Sequence, residues 1–134
     1  MHEITERFVA ALNALHSARD VNGLVDLFAE DATLSKSGVP AQEHGKQGAR
    51  NFWQRYREVF DTIDASFRHT ISAEGIAFLE WTSHGTLSDG SDFRYDGVSV
   101  LEAYGDSIDA FRTYYDTAAF LAGGGKTGAL RTAG

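Results

Sequence analysis

The chain has 134 residues, 43% of them hydrophobic and 23% charged, with a formal net charge of −7 at pH 7 and no cysteine. That length makes one domain with one core, and the composition is that of a folded protein rather than a disordered one. The charge opposes nonspecific binding to nucleic acid or anionic membrane, and without thiols there is no disulfide, thiolate metal site or cysteine nucleophile.

Residues 1–7 lack the apolar run of a signal peptide, and no stretch approaches the roughly 18 apolar residues of a membrane span, so the cytoplasm is the expected location. Ile4, Phe8, Leu12 and Leu15 recur at helical spacing and predict an amphipathic first helix. Asp20 is placed to cap a second, whose apolar face is Val21, Leu24, Val25 and Phe28. Residues 32–35 read as a short strand and 37–40 as a turn or loop. A third helix starts near Lys46, with Phe52, Tyr56, Val59 and Phe60 on one face and Gln54, Arg55, Arg57 and Glu58 solvating the other.

From Ala65 the period changes to two: Phe67, His69 and Ile71 alternate with Arg68 and Thr70, and β-rich sequence continues to about Tyr115. Turn residues at 73–75, 88–91 and 104–107 divide it into four antiparallel strands. Asp116 is placed to cap a short last helix to Leu121, and a domain of 1–122 is followed by a glycine-rich tail, 123–134, expected to be flexible. The tail's Gly123-Gly124-Gly125-Lys126-Thr127 lacks the spacing and the preceding strand of a phosphate loop, which excludes nucleotide binding there. Three helices followed by hairpin-connected strands give an α+β fold, the helices covering one face of a bent sheet.

Two segments carry a family resemblance. Asp20-Val21-Asn22-Gly23-Leu24-Val25-Asp26-Leu27-Phe28-Ala29-Glu30-Asp31-Ala32-Thr33 is similar to a second helix running into a first strand. Gly97-Val98-Ser99-Val100 through Ile108-Asp109-Ala110-Phe111-Arg112-Thr113-Tyr114-Tyr115-Asp116 is similar to a final hairpin. With the spacing between them, they resemble the superfamily of nuclear transport factor 2, ketosteroid isomerase, limonene epoxide hydrolase and the SnoaL-like polyketide cyclases. The resemblance implies a cone-shaped curved antiparallel sheet that encloses a pocket with three N-terminal helices, a small apolar molecule as ligand and a homodimer through the convex face. One fold hosts many activities, so it does not choose among them. The ketosteroid isomerase tyrosine, buried acid and proton-shuttling aspartate correspond to Phe8, Val98 and Lys36, and the epoxide hydrolase triad to Trp81, Ser83 and Thr113. Neither set can perform that chemistry.

The resemblance, with the aromatic cluster to which Trp53 belongs, makes Phe8, Trp53, Trp81, Ser83, Val98, Phe111 and Thr113 the expected substrate-binding residues. Lys36 and Asp96 are the expected catalytic pair, an amine and a carboxylate whose pKa values burial would tune. Asp96 lies two residues before Val98 and so on the same face, about 7 Å along the strand. Against this stand a solvent-facing Lys36 on a flexible loop and an Asp96 that belongs to a bulge. Asp31 and Asp116 read as backbone caps, and His84 is expected to point away from the pocket. No histidine pair has metal-ligand spacing, so no metal and no organic cofactor is expected. Phe78, Glu80, Thr82, His84, Arg112 and Tyr114 form the expected interface strip, with Arg112 paired to Glu80 or Glu102. The function expected is a cofactor-independent enzyme of isomerase, hydratase or cyclase type, the alternative a noncatalytic ligand-binding or dimerisation domain.

Overall fold

Helix α1 (His2–Ala18) buries Ile4, Phe8, Leu12 and Leu15, the stripe that the spacing predicts. These positions come from a computed structural model that describes residues 1–116; the expected last helix and glycine-rich tail lie outside them. Helix α1 stops at Arg19, a left-handed residue with φ 58°; its N–H donates to the Leu15 carbonyl at 3.0 Å, and the Asp20 N–H to the Ala14 carbonyl at 3.4 Å. In the next turn the Asp20 carboxylate accepts the Asn22 N–H at 3.0 Å and opens helix α2 (Asn22–Leu27). Strand β1 (Phe28–Lys36) follows directly, and Phe28 belongs to it rather than to the helix.

Ser37 and Gly38 form the turn expected there, and strand β2 (Val39–His44) starts at the second half of the segment read as turn or loop and runs on through residues with no expected element. It pairs antiparallel with β1 at the edge of the sheet, where Pro40 costs no ladder bond if its missing N–H faces outward. Its apolar residues, Val39, Pro40 and Ala41, are consecutive and Gln42, Glu43 and His44 are polar, so no alternation announced it. Helix α3 (Gly45–Glu58) then lays Phe52 and Trp53 inward.

Four strands complete the sheet: β3 (Phe60–Ala73), β4 (Ile76–Leu87), β5 (Asp92–Tyr104) and β6 (Ser107–Tyr115). The three turns that join them fall where glycines mark them, with Gly75, Gly90 and Gly105 at φ 78°, 87° and 61°. The order is β2-β1-β6-β5-β4-β3 in a curved, unclosed sheet. All pairs are antiparallel except β1 with β6, which run parallel and bring the Lys36 backbone beside Thr113. The fold is the α+β cone that the resemblance implies, with one more strand and one parallel pair.

Two residues of the third helix and the long strand lie differently from the sequence expectation. Arg57 is buried rather than solvated, because its guanidinium donates to the Leu15, Phe60 and Asp61 carbonyls at 3.2, 2.7 and 3.1 Å. Buried without those acceptors the charge would be prohibitive; with them it ties α1 to β3. In β3 a bulge at Arg68 breaks the alternation, so Phe67 opposes Trp81 while His69 opposes Glu80 on the other face.

The buried residues form two clusters. One joins the three helices to the middle of the sheet through Phe8, Leu24, Phe52 and Phe111. The other packs Phe60, Ile63, Trp81, Leu87, Phe93 and Tyr95 where β3, β4 and β5 meet. Tyr56 and Phe67 pack against both, and the cavity described next lies along that seam. Among the described residues, no helix is long and apolar enough to cross a membrane.

Candidate functional site

Directly opposed residues of an antiparallel pair share a face, so the register decides what each strand contributes. Strand β4 pairs with β5 as Leu79↔Ser99, Trp81↔Gly97 and Ser83↔Tyr95, which puts the odd-numbered residues of both on the concave side. Strand β6 pairs Thr113 with Ser99 and Tyr115 with Gly97, and so adds Phe111, Thr113 and Tyr115. Phe8 and Leu12 of α1 and Phe52, Trp53 and Tyr56 of α3 close the other side. Together they enclose a cavity of about 60 Å³. A benzene ring in a protein interior needs about 150 Å³, so a ring-sized ligand enters only as these walls shift.

Of the residues expected to bind substrate, Phe8, Trp53, Trp81, Ser83, Phe111 and Thr113 line this cavity. Val98 does not. It opposes Glu80, and Asp96 opposes Thr82, both on the convex face. The expected parity of β5 is therefore corrected by one residue, and Ser99 holds the concave place assigned to Val98. The proposed partnership of Asp96 with Lys36 falls with it: Asp96 accepts the Thr82 hydroxyl at 2.5 Å across the sheet from the cavity. Apolar residues occur at both parities in this strand, at Val98 and Val100 as well as Phe93 and Leu101, so alternation alone could not settle it.

Gly97 explains the pose of Trp81. A Cβ there would come within 2.4 Å of the indole and 2.7 Å of the Tyr114 carbonyl, so only glycine lets the ring lie across the neighbouring strand. In that pose Trp81 Nε1 donates to Ser99 Oγ at 2.9 Å, and Ser99 Oγ lies 3.0 Å from Thr113 Oγ1. The two hydroxyls share one hydrogen bond, whichever donates, so one hydroxyl proton of the pair is left over for a ligand.

Among the described residues, Lys36 is the only side chain in the cavity wall that carries a charge, and no Asp, Glu or His lines it. Its Nζ lies 5.1 Å from the centroid of the Phe52 ring, a cation–π contact. Burial, helped by the Arg55 guanidinium and opposed by Glu43, lowers its pKa to about 8. Arg55 and Glu43 are themselves paired at 3.3 Å, in a small cleft on the other side of Lys36 and Phe52. Lys36 thus faces the cavity and is not a solvent-facing loop residue.

The polar groups behind the wall were not singled out in the sequence. His16 is buried, and its Nε2 lies 2.7 Å from the Tyr56 hydroxyl. Burial and the neighbouring Arg57 hold it down to about 4, so it is neutral at pH 7, while burial raises the Tyr56 phenol above its ordinary range. Burial raises Tyr95 and Tyr115 as well, so the cavity's phenols remain protonated. Among the described residues, the buried His16 Nδ1 and Trp53 Nε1 have no hydrogen-bond partner. His16 follows Leu12 at i+4 and so flanks the apolar stripe, a spacing that could have marked it, and a tyrosine at helical spacing reads as core.

The convex face holds the remaining candidates. Arg112 pairs with Glu102, one of the two acids expected. Glu80 instead meets His69 at 2.7 Å and Arg68 at 3.6 Å. His84 faces away from the cavity, 3.8 Å from Asp64. Asp31 is exposed inside β1 rather than at its boundary, so it does not cap that strand's start. Among the described residues, no three His, Cys, Asp or Glu side chains gather as a metal site would require.

The profile of the SnoaL-like domain family matches residues 5–111. Comparison with curated proteins finds no significant match. Among solved structures, an NTF2-like protein of unknown function from Burkholderia pseudomallei superposes with a TM-score of 0.78 at 17% identity, covering 91% of this chain and 97% of that one. A ketosteroid isomerase-like fold from Catenulispora acidiphila, in complex with trimethylamine, gives 0.75 at 21%, covering 86% and 89%. An LEH-like epoxide hydrolase of Mycobacterium tuberculosis gives 0.71 at 17%, covering 97% and 89%. At these identities the likeness is one of fold.

Proposed function

We propose, from the premise that the chain belongs to the SnoaL-like domain family, that it holds a small, mostly apolar molecule in the concave cavity and performs cofactor-independent acid–base chemistry on it, of isomerase, hydratase or cyclase type. The observation that carries this is Lys36: one amine, lowered to about 8 by burial, in an aromatic cavity that no carboxylate or imidazole lines among the described residues. An acid–base group works best with a pKa near the operating pH, and a lysine needs burial to reach that range. The spare Ser99/Thr113 hydroxyl proton would orient the substrate, and the aromatic walls would supply affinity by apolar burial.

Native mass spectrometry of protein purified without denaturants tests the pocket. A small organic adduct that is lost in Trp81→Ala supports it. Ligand-free protein that also ignores aromatic fragments contradicts it. For any substrate so identified, Lys36→Met should lose turnover by about 10²-fold or more; binding with no turnover in the wild type would favour the noncatalytic alternative.

A homodimer through the convex face is a second proposal, favoured by the exposure of Phe78 (44%) and Tyr114 (51%) beside the Arg112–Glu102 pair. An apolar and charged mixture of this kind is what interfaces present. Light scattering at micromolar protein should give twice the chain mass, and a monomer mass would contradict it.

A further inference from the structure

We infer that the cavity's ligand presents a neutral oxygen acceptor, the carbonyl of a ketone, ester or amide, to helix α3, where the Trp53 indole N–H and the Tyr56 hydroxyl donate to it. This rests on the pocket reading above and adds the group by which the ligand is recognised. Trp53 and Tyr56 lie three residues apart on one face of α3, with ring centroids 5.4 Å apart, and both line the cavity.

Each of the two side chains has a proton to give. Trp53 is 3% exposed, and its Nε1 has no hydrogen-bond partner among the described residues. An indole nitrogen only donates, so the missing partner is an acceptor. For Tyr56 the question is which way its 2.7 Å bond to His16 Nε2 runs. Burial, helped by Arg57, keeps His16 neutral at pH 7, and burial keeps the Tyr56 phenol protonated. A neutral imidazole carries one N–H. On Nδ1 that N–H would be a donor enclosed with no partner among the described residues; on Nε2 it donates to the Tyr56 oxygen and leaves only the Nδ1 lone pair unused. Orphaned buried N–H groups are rarer than unused acceptor sites, which assigns the proton to Nε2. The spare donor thereby moves to the Tyr56 O–H, on a residue of the cavity wall.

A ligand that enters displaces the water such donors would otherwise hold. One without an acceptor leaves both donors unpaired, each at the full cost of its desolvation. A carbonyl oxygen has two lone pairs and can take both protons. Because the donors are uncharged, a neutral oxygen satisfies them without burying a further charge among aromatic rings.

The test uses two probes of one shape, acetophenone and α-methylstyrene, which differ in a carbonyl oxygen against a methylene. They are titrated by NMR at pH 7 into wild-type protein and Tyr56→Phe. The Trp53 indole proton should move further downfield with acetophenone than with α-methylstyrene. Tyr56→Phe should weaken acetophenone about fivefold, the loss of one hydrogen bond, and leave α-methylstyrene unchanged. The His16 ring nitrogens should report a proton on Nε2 and none on Nδ1. The indole and imidazole signals are read in wild type, so they decide even where Tyr56→Phe does not fold. A proton on Nδ1, or an indole shift and a variant effect that are the same for both probes, would overturn the inference while the pocket reading stands. If neither probe binds wild type, both fail.

Discussion

The two faces of the sheet are made by alternate residues of the same strands, yet they differ in kind. The concave face gathers Trp81, Ser83, Tyr95, Ser99, Phe111 and Thr113, with Lys36 as its one charge among the described residues. The convex face gathers Glu80, Asp96, Glu102, Arg112 and His84, each near an opposite charge or a hydroxyl. In water-facing positions such pairs are screened and add little. In the cavity a single amine has its proton affinity changed by burial. A shift of one residue in register therefore exchanges a solvated ion pair for a candidate acid–base group.

Removing one side chain from each face should show the largest contrast. Trp81→Ala should destabilise by about 3–5 kcal/mol through lost burial and a cavity, whereas Glu80→Ala, at an exposed position on the same strand, should leave stability nearly unchanged. Urea unfolding of the two variants checks this, and equal losses would erase the distinction.

Acid should reach the concave side through its backing. The folded pKa of His16, about 4, lies below its ordinary 6.5. Between those values the unfolded chain binds a proton that the folded one refuses, so stability present above pH 6.5 is lost as pH falls towards 4. The loss amounts to about 3 kcal/mol. Unfolding midpoints from pH 7 to 4 should fall, and His16→Gln should flatten this part of the profile.

Crowding the crossing of Trp81 over β5 should cost less. Gly97→Ala puts a methyl where the indole and the Tyr114 carbonyl now lie, at an expected 1–3 kcal/mol, and should blue-shift or broaden tryptophan emission. Lys36→Met should act in the opposite direction. Folding lowers the lysine from 10.5 to about 8, so the unfolded chain holds the extra proton between those values and wild-type stability rises with pH across that window. Removing the amine should stabilise the protein by about 1–2 kcal/mol at pH 7, after allowing for its partial exposure. Destabilisation by Lys36→Met would mean that the ammonium is held by favourable contacts rather than penalised by burial.

Much of this architecture was legible. Helical spacing gave the buried stripe of α1, glycine turns gave the three hairpins, and two quoted segments carried the family. The edge strand β2 escaped because edge strands need no apolar alternation. The parity of β5 escaped because Val98 and Val100 compete with Phe93 and Leu101 for the inner face. His16 and Tyr56 meet across 40 residues of sequence, a contact that no local pattern encodes.

Whether the concave face is the working face is tested most directly by chemical shifts. Titrating acetophenone into labelled protein should move the indole N–H signals of Trp53 and Trp81 and leave the methyl signals of Val98 in place. Shifts at Val98 with both indoles unmoved would contradict the account.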